Sequence, residues 1–407
     1  MKRAVRDLIK AFGLSGLIVA AAGVSAVAQK NYDAGASDTE IKIGNIMPYS
    51  GPASVTSNIG KTEAAYFNKV NEEGGINGRK IRFISYDDAY SPPKAVEQAR
   101  RLVESDEVLL IFSSLGTASN TAIQKYMNIK KVPQLFVATG ATKFDDPTHF
   151  PWTIGWQPSF QGEGRIYANY LLQHHPDGKI GIFYQNDDYG KDYVKGLKDG
   201  LNGKMQIVAE ASYDMVDTNP DSQLMSLKAA GADILFNAAT PKFAAQAIKK
   251  VAELGWKPIH LLVNGANGVG GLRPAGLENA KGILSAGYLK DPTDSAWKDD
   301  ADFKEWLAFM KKYYAEGDIT GIGPVVGYTM AQTLVQVLKQ CNDDLTRENV
   351  MRQAANLKDL RLRMMRPGIT ITTGPTDYAP IKQMQMQRFN GEAWESFGPM
   401  INMAGAT

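Results

Sequence analysis

Residues 41–88 read as strand, loop, helix, turn and strand in one run. The apolar stretch Ile41-Lys42-Ile43-Gly44-Asn45-Ile46 ends at the turn-forming Ser50-Gly51-Pro52. A helical stripe of Ala64, Phe67 and Val70 follows and breaks at Gly74-Gly75-Ile76-Asn77-Gly78. The chain then returns as Ile81-Arg82-Phe83-Ile84-Ser85-Tyr86 before Asp87-Asp88. Two strands joined through a helix pair in parallel by a crossover. The chain therefore opens on a βαβ unit with a polar loop at the end of each strand.

The alternation continues. A helix starts after Ser91-Pro92-Pro93, with Val96, Ala99, Leu102 and Val103 on one stripe and Pro93 suited to its first turn. Residues 108–112 are a short apolar strand, 118–129 a helix and 134–137 another strand. The pattern pauses around 152–161. It restarts with strands at 179–184, 206–211, 234–237 and 259–263, alternating with helices at 189–201, 221–230 and 241–254. A strand at 282–286 and helices near 302–314, 325–340 and 347–356 follow. Residues 369–397 alternate and are rich in β-formers, and Gln383-Met384-Gln385-Met386-Gln387 has the period of a half-buried antiparallel strand. This pattern specifies an α/β protein with parallel sheets covered on both faces. Such sheets bind ligands beyond the carboxyl ends of their strands, and two facing lobes make a cleft.

The first residues have the form of a secretory leader. Lys2, Arg3, Arg6 and Lys10 precede an apolar stretch, 11–24, and Ala26-Val27-Ala28 offers a small-x-small cleavage site. Cleavage near Ala28 of the 407-residue chain leaves 379 residues, with 41 basic and 42 acidic side chains. That length implies two lobes, and that balance implies neither a nucleic-acid nor a membrane-surface partner. Residues 29–39, polar and small, read as a flexible linker. Cys341 is the only cysteine, so an internal disulfide is excluded, and the four histidines lack zinc-site spacing.

Several segments could carry chemistry. Gly265-Ala266-Asn267-Gly268-Val269-Gly270-Gly271 lacks G-x-G-x-x-G spacing and reads as a loop rather than a dinucleotide site. Asp87-Asp88 and Asp187-Asp188 read first as strand-end loop acids, with acid/base or calcium roles as the alternative. Ser113-Ser114-Leu115-Gly116-Thr117 and Thr139-Gly140-Ala141-Thr142 each sit where a strand gives way to a helix. Hydroxyls and free N–H groups there are suited to a carboxylate, or to ordinary capping. Tyr189, at a strand-end loop, could close over a ligand. No nucleophile–base pair, metal cluster or cofactor loop is found, so neither an enzyme nor a cofactor is expected.

Several motifs together resemble a known family. They are Ile41-Lys42-Ile43-Gly44, Ser50-Gly51-Pro52, the Gly74 to Gly78 turn, Tyr86-Asp87-Asp88-Ala89, Asp188-Tyr189-Gly190 and Leu254-Gly255-Trp256, along with the leader. Over residues 40–400 the chain is similar to the exported solute-binding proteins of branched-chain amino-acid ABC transporters, with the type I periplasmic fold. The resemblance implies two Rossmann-like lobes joined by three crossover segments, 40–158 plus 286–375 and 159–285 plus 376–401. It implies a small-molecule carboxylate as ligand, permease subunits in the inner membrane as partners, and a periplasmic location. Carried onto this chain, it places Thr56 on the first loop. It puts the ligand carboxylate on Ser114, Leu115, Gly116, Thr117, Thr139, Gly140, Ala141 and Thr142. Tyr189, Thr240, Asn264 and Asn267 complete the second lobe's side.

Two departures shape the expected ligand. Amino-acid binders of the family commonly pair the ligand ammonium with an acid in the last loop, but residues 263–268 hold none. An unpaired buried ammonium is costly. Where relatives carry a disulfide, Tyr90 and Leu115 put an aromatic and an aliphatic group beside the carboxylate loop. The ending, with Pro375-Thr376-Asp377-Tyr378, Gln385, Arg388-Phe389, Gly391 and Trp394, resembles a subgroup of which some take up aromatic or other organic acids. An aromatic or related organic acid is the expected ligand. A branched-chain or other amino acid is the alternative, and a ligand sensor of the same fold is a further one.

Overall fold

The computed structural model describes residues 30–403. The expected leader and its cleavage point at Ala28 lie outside them. The first sheet holds β1 (Glu40–Met47), β2 (Lys80–Asp87), β3 (Leu110–Phe112), β4 (Gln134–Val137) and β5 (Thr153–Gly155). All are parallel, in the order β2-β1-β3-β4-β5. The second sheet begins with β6 (Lys179–Gln185), β7 (Gln206–Tyr213), β8 (Ile234–Ala238), β9 (Ile259–Leu262) and β10 (Leu284–Gly287). Their order, β7-β6-β8-β9-β10, repeats that of the first sheet, again in parallel. Two antiparallel strands, β11 (Gln383–Phe389) and β12 (Trp394–Asn402), extend it beyond β10. The doubly wound unit thus occurs twice, without a sequence repeat that can be aligned.

The helices of the first unit are α1 (Asn58–Glu72), α2 (Pro92–Arg100) and α3 (Thr117–Lys130). Those of the second are α4 (Phe160–His174), α5 (Asp188–Leu201), α6 (Asp221–Ala229) and α7 (Pro241–Glu253). The chain leaves the first sheet between Gly155 and Phe160, returns after Gly287 and crosses again ahead of Gln383. On its return it forms α8 (Ala301–Tyr313), α9 (Ile322–Cys341) and α10 (Arg347–Ala354). Helices α8 and α9 pack on α1, where Tyr66 meets Phe309 at 5.8 Å and Tyr328 at 5.2 Å. Ile41 and Ile43 of β1 join this core, whereas Ile46 joins a separate cluster with Ala95, Ala99 and Leu102. That division is the expected two-faced burial of a parallel strand.

Three segments depart from the sequence reading. Helix α4 follows the apparent pause. Gly162, Gly164 and the buried Glu163 dilute its apolar stripe, and the packing explains the glycines. A Cβ on Gly164 would lie 2.6 Å from Leu197 N, and one on Gly196 of α5 would lie 2.3 Å from Gln161 O. The two backbones touch there, so side chains are excluded. Residues 31–39, expected as a flexible linker, are docked. Asn31–Tyr32 pairs with Asp344–Leu345, Lys42 N–H donates to Gly35 O at 2.7 Å, and buried Arg79 reaches Ser37 O at 3.0 Å and Asp343 at 2.6 Å. In the last stretch, regular strand begins only at Gln383, after the isolated bridges Leu360–Ile371 and Gly374–Asp377.

Candidate functional site

In both sheets the strand order reverses beside the first strand, at β1/β3 and at β6/β8. Neighbouring loops diverge at such a point and leave a crevice. A cavity of about 270 Å³ lies where the loops of the two sheets face each other. Thr56 lines it from the loop after β1 and Tyr90 from the loop after β2. Leu115, Gly116 and Thr117 come from the loop after β3, and Thr139 from the loop after β4. Tyr189, Thr240, Asn264 and Asn267 face them from the second lobe.

Helix α3 begins at the cavity wall. Its N-cap, Gly116, sits at φ +102° and has no side chain to cap the first turn. That turn's N–H groups carry the positive end of the helix dipole. Beside it the Thr117 and Thr139 hydroxyls lie 2.7 Å apart. The arrangement suits a carboxylate. The Tyr90 ring covers Gly116 so closely that a Cβ there would lie 2.6 Å from the ring. The Tyr90 phenol faces Gln185 of the other lobe, and burial raises its pKa.

The other residues expected at the carboxylate do not line the cavity. Ser114 is turned into the lobe and bonds Asn120. Gly140 is pinned under the crossing chain, where Phe160 N–H donates to its carbonyl at 2.8 Å. Ala141 is buried behind Thr139. Thr142 reaches across the lobes, its N–H and hydroxyl both donating to Asp192 at 2.8 and 2.9 Å. Of Thr139 to Thr142, only Thr139 lines the cavity.

In the second lobe several polar groups are committed to the scaffold. The Thr240 hydroxyl pairs with the Tyr213 phenol at 2.9 Å. The Asn264 and Asn267 amides donate to Ala286 O at 3.0 and 3.4 Å, and Asn267 also reaches Ser285 at 3.0 Å. The Tyr189 phenol donates to Ala239 O at 3.3 Å, and its ring meets Phe160 edge-on at 5.1 Å. The acid pairs serve as loop anchors. Asp88 accepts from Tyr90 N–H and Ser119, and Asp187 caps α5 through Tyr189 N–H at 2.9 Å. Asp188 pairs with Lys143 at 2.9 Å. Among the described residues no cluster suited to a metal ion occurs. Residues 264–272 form a 3-10 turn and a single helical turn against the cavity.

Sequence reasoning missed Phe160, Tyr288, Gln387 and Asp291, which also line the cavity. Asp291 corrects an expectation. The loop 263–268 has no acid, yet a carboxyl reaches the wall from the segment after β10. It is 5 % exposed, and its Oδ1 accepts from Thr293 N–H at 2.8 Å and Thr293 Oγ1 at 2.5 Å. Burial raises its pKa, opposed by those bonds and by Arg366. Arg366 donates to Leu289 O at 3.0 Å and to Gln387. No local motif marks Asp291, because a lobe crossing brings it in.

A family model described as periplasmic binding protein matches residues 40–393. The "Leu/Ile/Val-binding protein homolog 7" of Brucella abortus is 23% identical over 335 residues, covering 77% of this chain and 80% of that protein. Among solved structures, a branched chain amino acid ABC transporter protein from Thermus thermophilus with bound valine superimposes with a TM-score of 0.81. It is 16% identical, over 90% of this chain and 97% of its own. A fatty acid ABC transporter substrate-binding protein from Thermomonospora curvata gives 0.75 at 21% identity, over 91% and 95%. At these identities the structural likeness establishes the shared fold.

Proposed function

The chain belongs to the periplasmic binding protein family, and on that premise we propose that it captures a small carboxylate with an aromatic or similarly apolar body and delivers it to an ABC permease. The protein is exported, with its leader removed near Ala28, and acts by binding rather than turnover. The observation that carries this reading is the uncapped start of α3 with the Thr117–Thr139 hydroxyl pair, in a cavity also lined by Tyr90, Phe160, Tyr189 and Tyr288. Hydroxyls and N–H groups fix the carboxylate, and rings enclose the body. Lobe closure follows from the ligand's higher affinity for the closed state.

A thermal-shift screen tests it. Benzoate-type acids should raise the melting temperature, because a ligand at 100 times its Kd stabilises by about 2.7 kcal/mol. Strong stabilisation by leucine or valine, with none by benzoate-type acids, would sink the preferred ligand. Turnover of a bound ligand, abolished by changing Asp88 or Asp188, would overturn the non-enzymatic reading.

Asp291 favours a second reading, an amino acid whose ammonium pairs with that carboxyl. The Brucella and Thermus similarities point the same way. Asp291→Asn separates the two. It should leave binding of a benzoate-type acid within a few-fold, but weaken an amino acid by about 2 kcal/mol or more, as for a charge-assisted bond.

A further inference from the structure

Glu163 lies in the first turn of α4, between α5 and the second sheet, and is 1 % exposed. Three donors converge on it. The Tyr167 phenol and the Asn264 N–H each lie 2.6 Å from Oε1, and the Tyr193 phenol lies 3.1 Å from Oε2. Two of these partners lead to the cavity. Asn264 lines it directly, and Tyr193 stacks at 4.2 Å on Phe160, which lines it beside Tyr189. Tyr167 in turn accepts from Ala286 N–H at 2.9 Å, and Ala286 O holds the Asn264 and Asn267 amides. One carboxyl group thus ties together the loop after β9, the strand β10 and the aromatic wall.

We propose that Glu163 is a positioning residue for the second-lobe half of the ligand site, and that its proton holds the Asn264 loop in place. The proposal rests on the reading of the cavity as the ligand site and adds regulation by pH. The titratable groups around Glu163 are phenols: Tyr167 on its own helix, Tyr189 and Tyr193 on α5, and Tyr288 after β10. His260 on β9 bonds Asn237 instead. Among the described residues no cation acts on the carboxyl, and burial pushes its pKa up to about 7 against the three hydrogen bonds. Tyr167 has one hydroxyl proton and two acceptors in reach, Glu163 Oε1 and Leu262 O at 3.0 Å. With Glu163 protonated, the acid donates and Tyr167 is free to serve Leu262. With Glu163 ionised, both phenols are drawn to a charge that is buried and has no counter-ion among the described residues. Any opening that hydrates this charge is then favoured, and the neighbouring loop with least regular structure is the one carrying Asn264.

Amide hydrogen exchange on the ligand-free protein tests this. Protection of 263–268, corrected for intrinsic rates, should fall on the order of tenfold between pH 6 and pH 8.5 in the wild type. In Glu163→Gln, which keeps a neutral acceptor for Asn264, it should stay level. Residues 113–117 of the first lobe should show no such difference between the two proteins. Equal pH dependence in wild type and Glu163→Gln overturns the proposal, as does loosening of 113–117 in step with 263–268. Wherever benzoate binds, its affinity should fall over the same range in the wild type and not in Glu163→Gln. If benzoate does not bind at all, the ligand class fails while the exchange experiment still decides the role of Glu163.

Discussion

Helices α3 and α5 both start at the cavity, one from each lobe, and their first turns are treated differently. At α3 the N-cap is Gly116 and no side chain occupies the turn. At α5 the N-cap is Asp187, whose own carboxyl accepts from Tyr189 and Gly190. A ligand carboxylate can take the free donors of α3; at α5 it would meet another carboxyl. The same strand order thus yields one half whose helix start is open to a carboxylate and one half whose helix start is already closed by its own acid. A carboxylate ligand of the kind proposed would therefore sit with its carboxylate toward the first lobe.

The strongest test of that asymmetry removes the hydroxyl pair. Thr117→Val with Thr139→Val should weaken a bound carboxylate about 100-fold, near 3 kcal/mol for two bonds to a charged group. Thr240→Val should cost less than about fivefold, because its hydroxyl is engaged by Tyr213. Calorimetric titration that ranks them in reverse would invert the comparison.

A difference on the order of 2–3 kcal/mol is expected from Glu163. Its carboxyl has a folded-state pKa of about 7, raised by burial from 4.5. The folded state therefore holds the proton more tightly than the unfolded chain. This stability is fully present below about pH 4.5 and is lost as pH rises through about 7. Urea denaturation should show the advantage of Glu163→Gln over wild type growing from pH 5 to pH 8. A constant offset would place the titration elsewhere.

Gly116→Ala should destabilise by about 1–3 kcal/mol, through strain at positive φ and collision with the Tyr90 ring. Gly74→Ala, at φ +109° with open space around it, isolates the strain alone and should cost less. Equal melting temperatures for the two variants would show that Tyr90 yields freely. The smallest effect, about 0.5–1 kcal/mol in ligand affinity, is expected for Asp192→Ala. It removes the Thr142 link between the lobes without touching the cavity wall.

Much of this arrangement was legible in the sequence. The stripe through Phe67 and Val70 and the apolar strands reflect burial repeated at fixed local spacing, which a linear sequence displays. The βαβ order, the strand-end loops and Thr117, Thr139, Tyr189, Asn264 and Asn267 follow from that, together with the family resemblance. Helix α4 was hidden because its crossing with α5 demands glycine where a helix would otherwise show apolar residues. Ser114, Gly140, Ala141 and Thr142 were assigned by loop membership, but Ser114 is drawn to Asn120, Gly140 is packed under Pro158 and Phe160, and Thr142 is drawn to Asp192, none of which is local in the chain pattern.

Local pattern alone determined two βα-rich halves and the hydroxyl-bearing loop that opens α3, since each depends on residues close together in the chain, and the single cysteine excluded an internal disulfide. Tertiary structure alone decided that Asp291 reaches the cavity after a lobe crossing, that Tyr90 spans the cleft to Gln185, and that Glu163 joins α4 to Asn264. These contacts link residues up to about a hundred positions apart. Periodicity reports how a segment meets the core and carries no record of which distant segment it meets there.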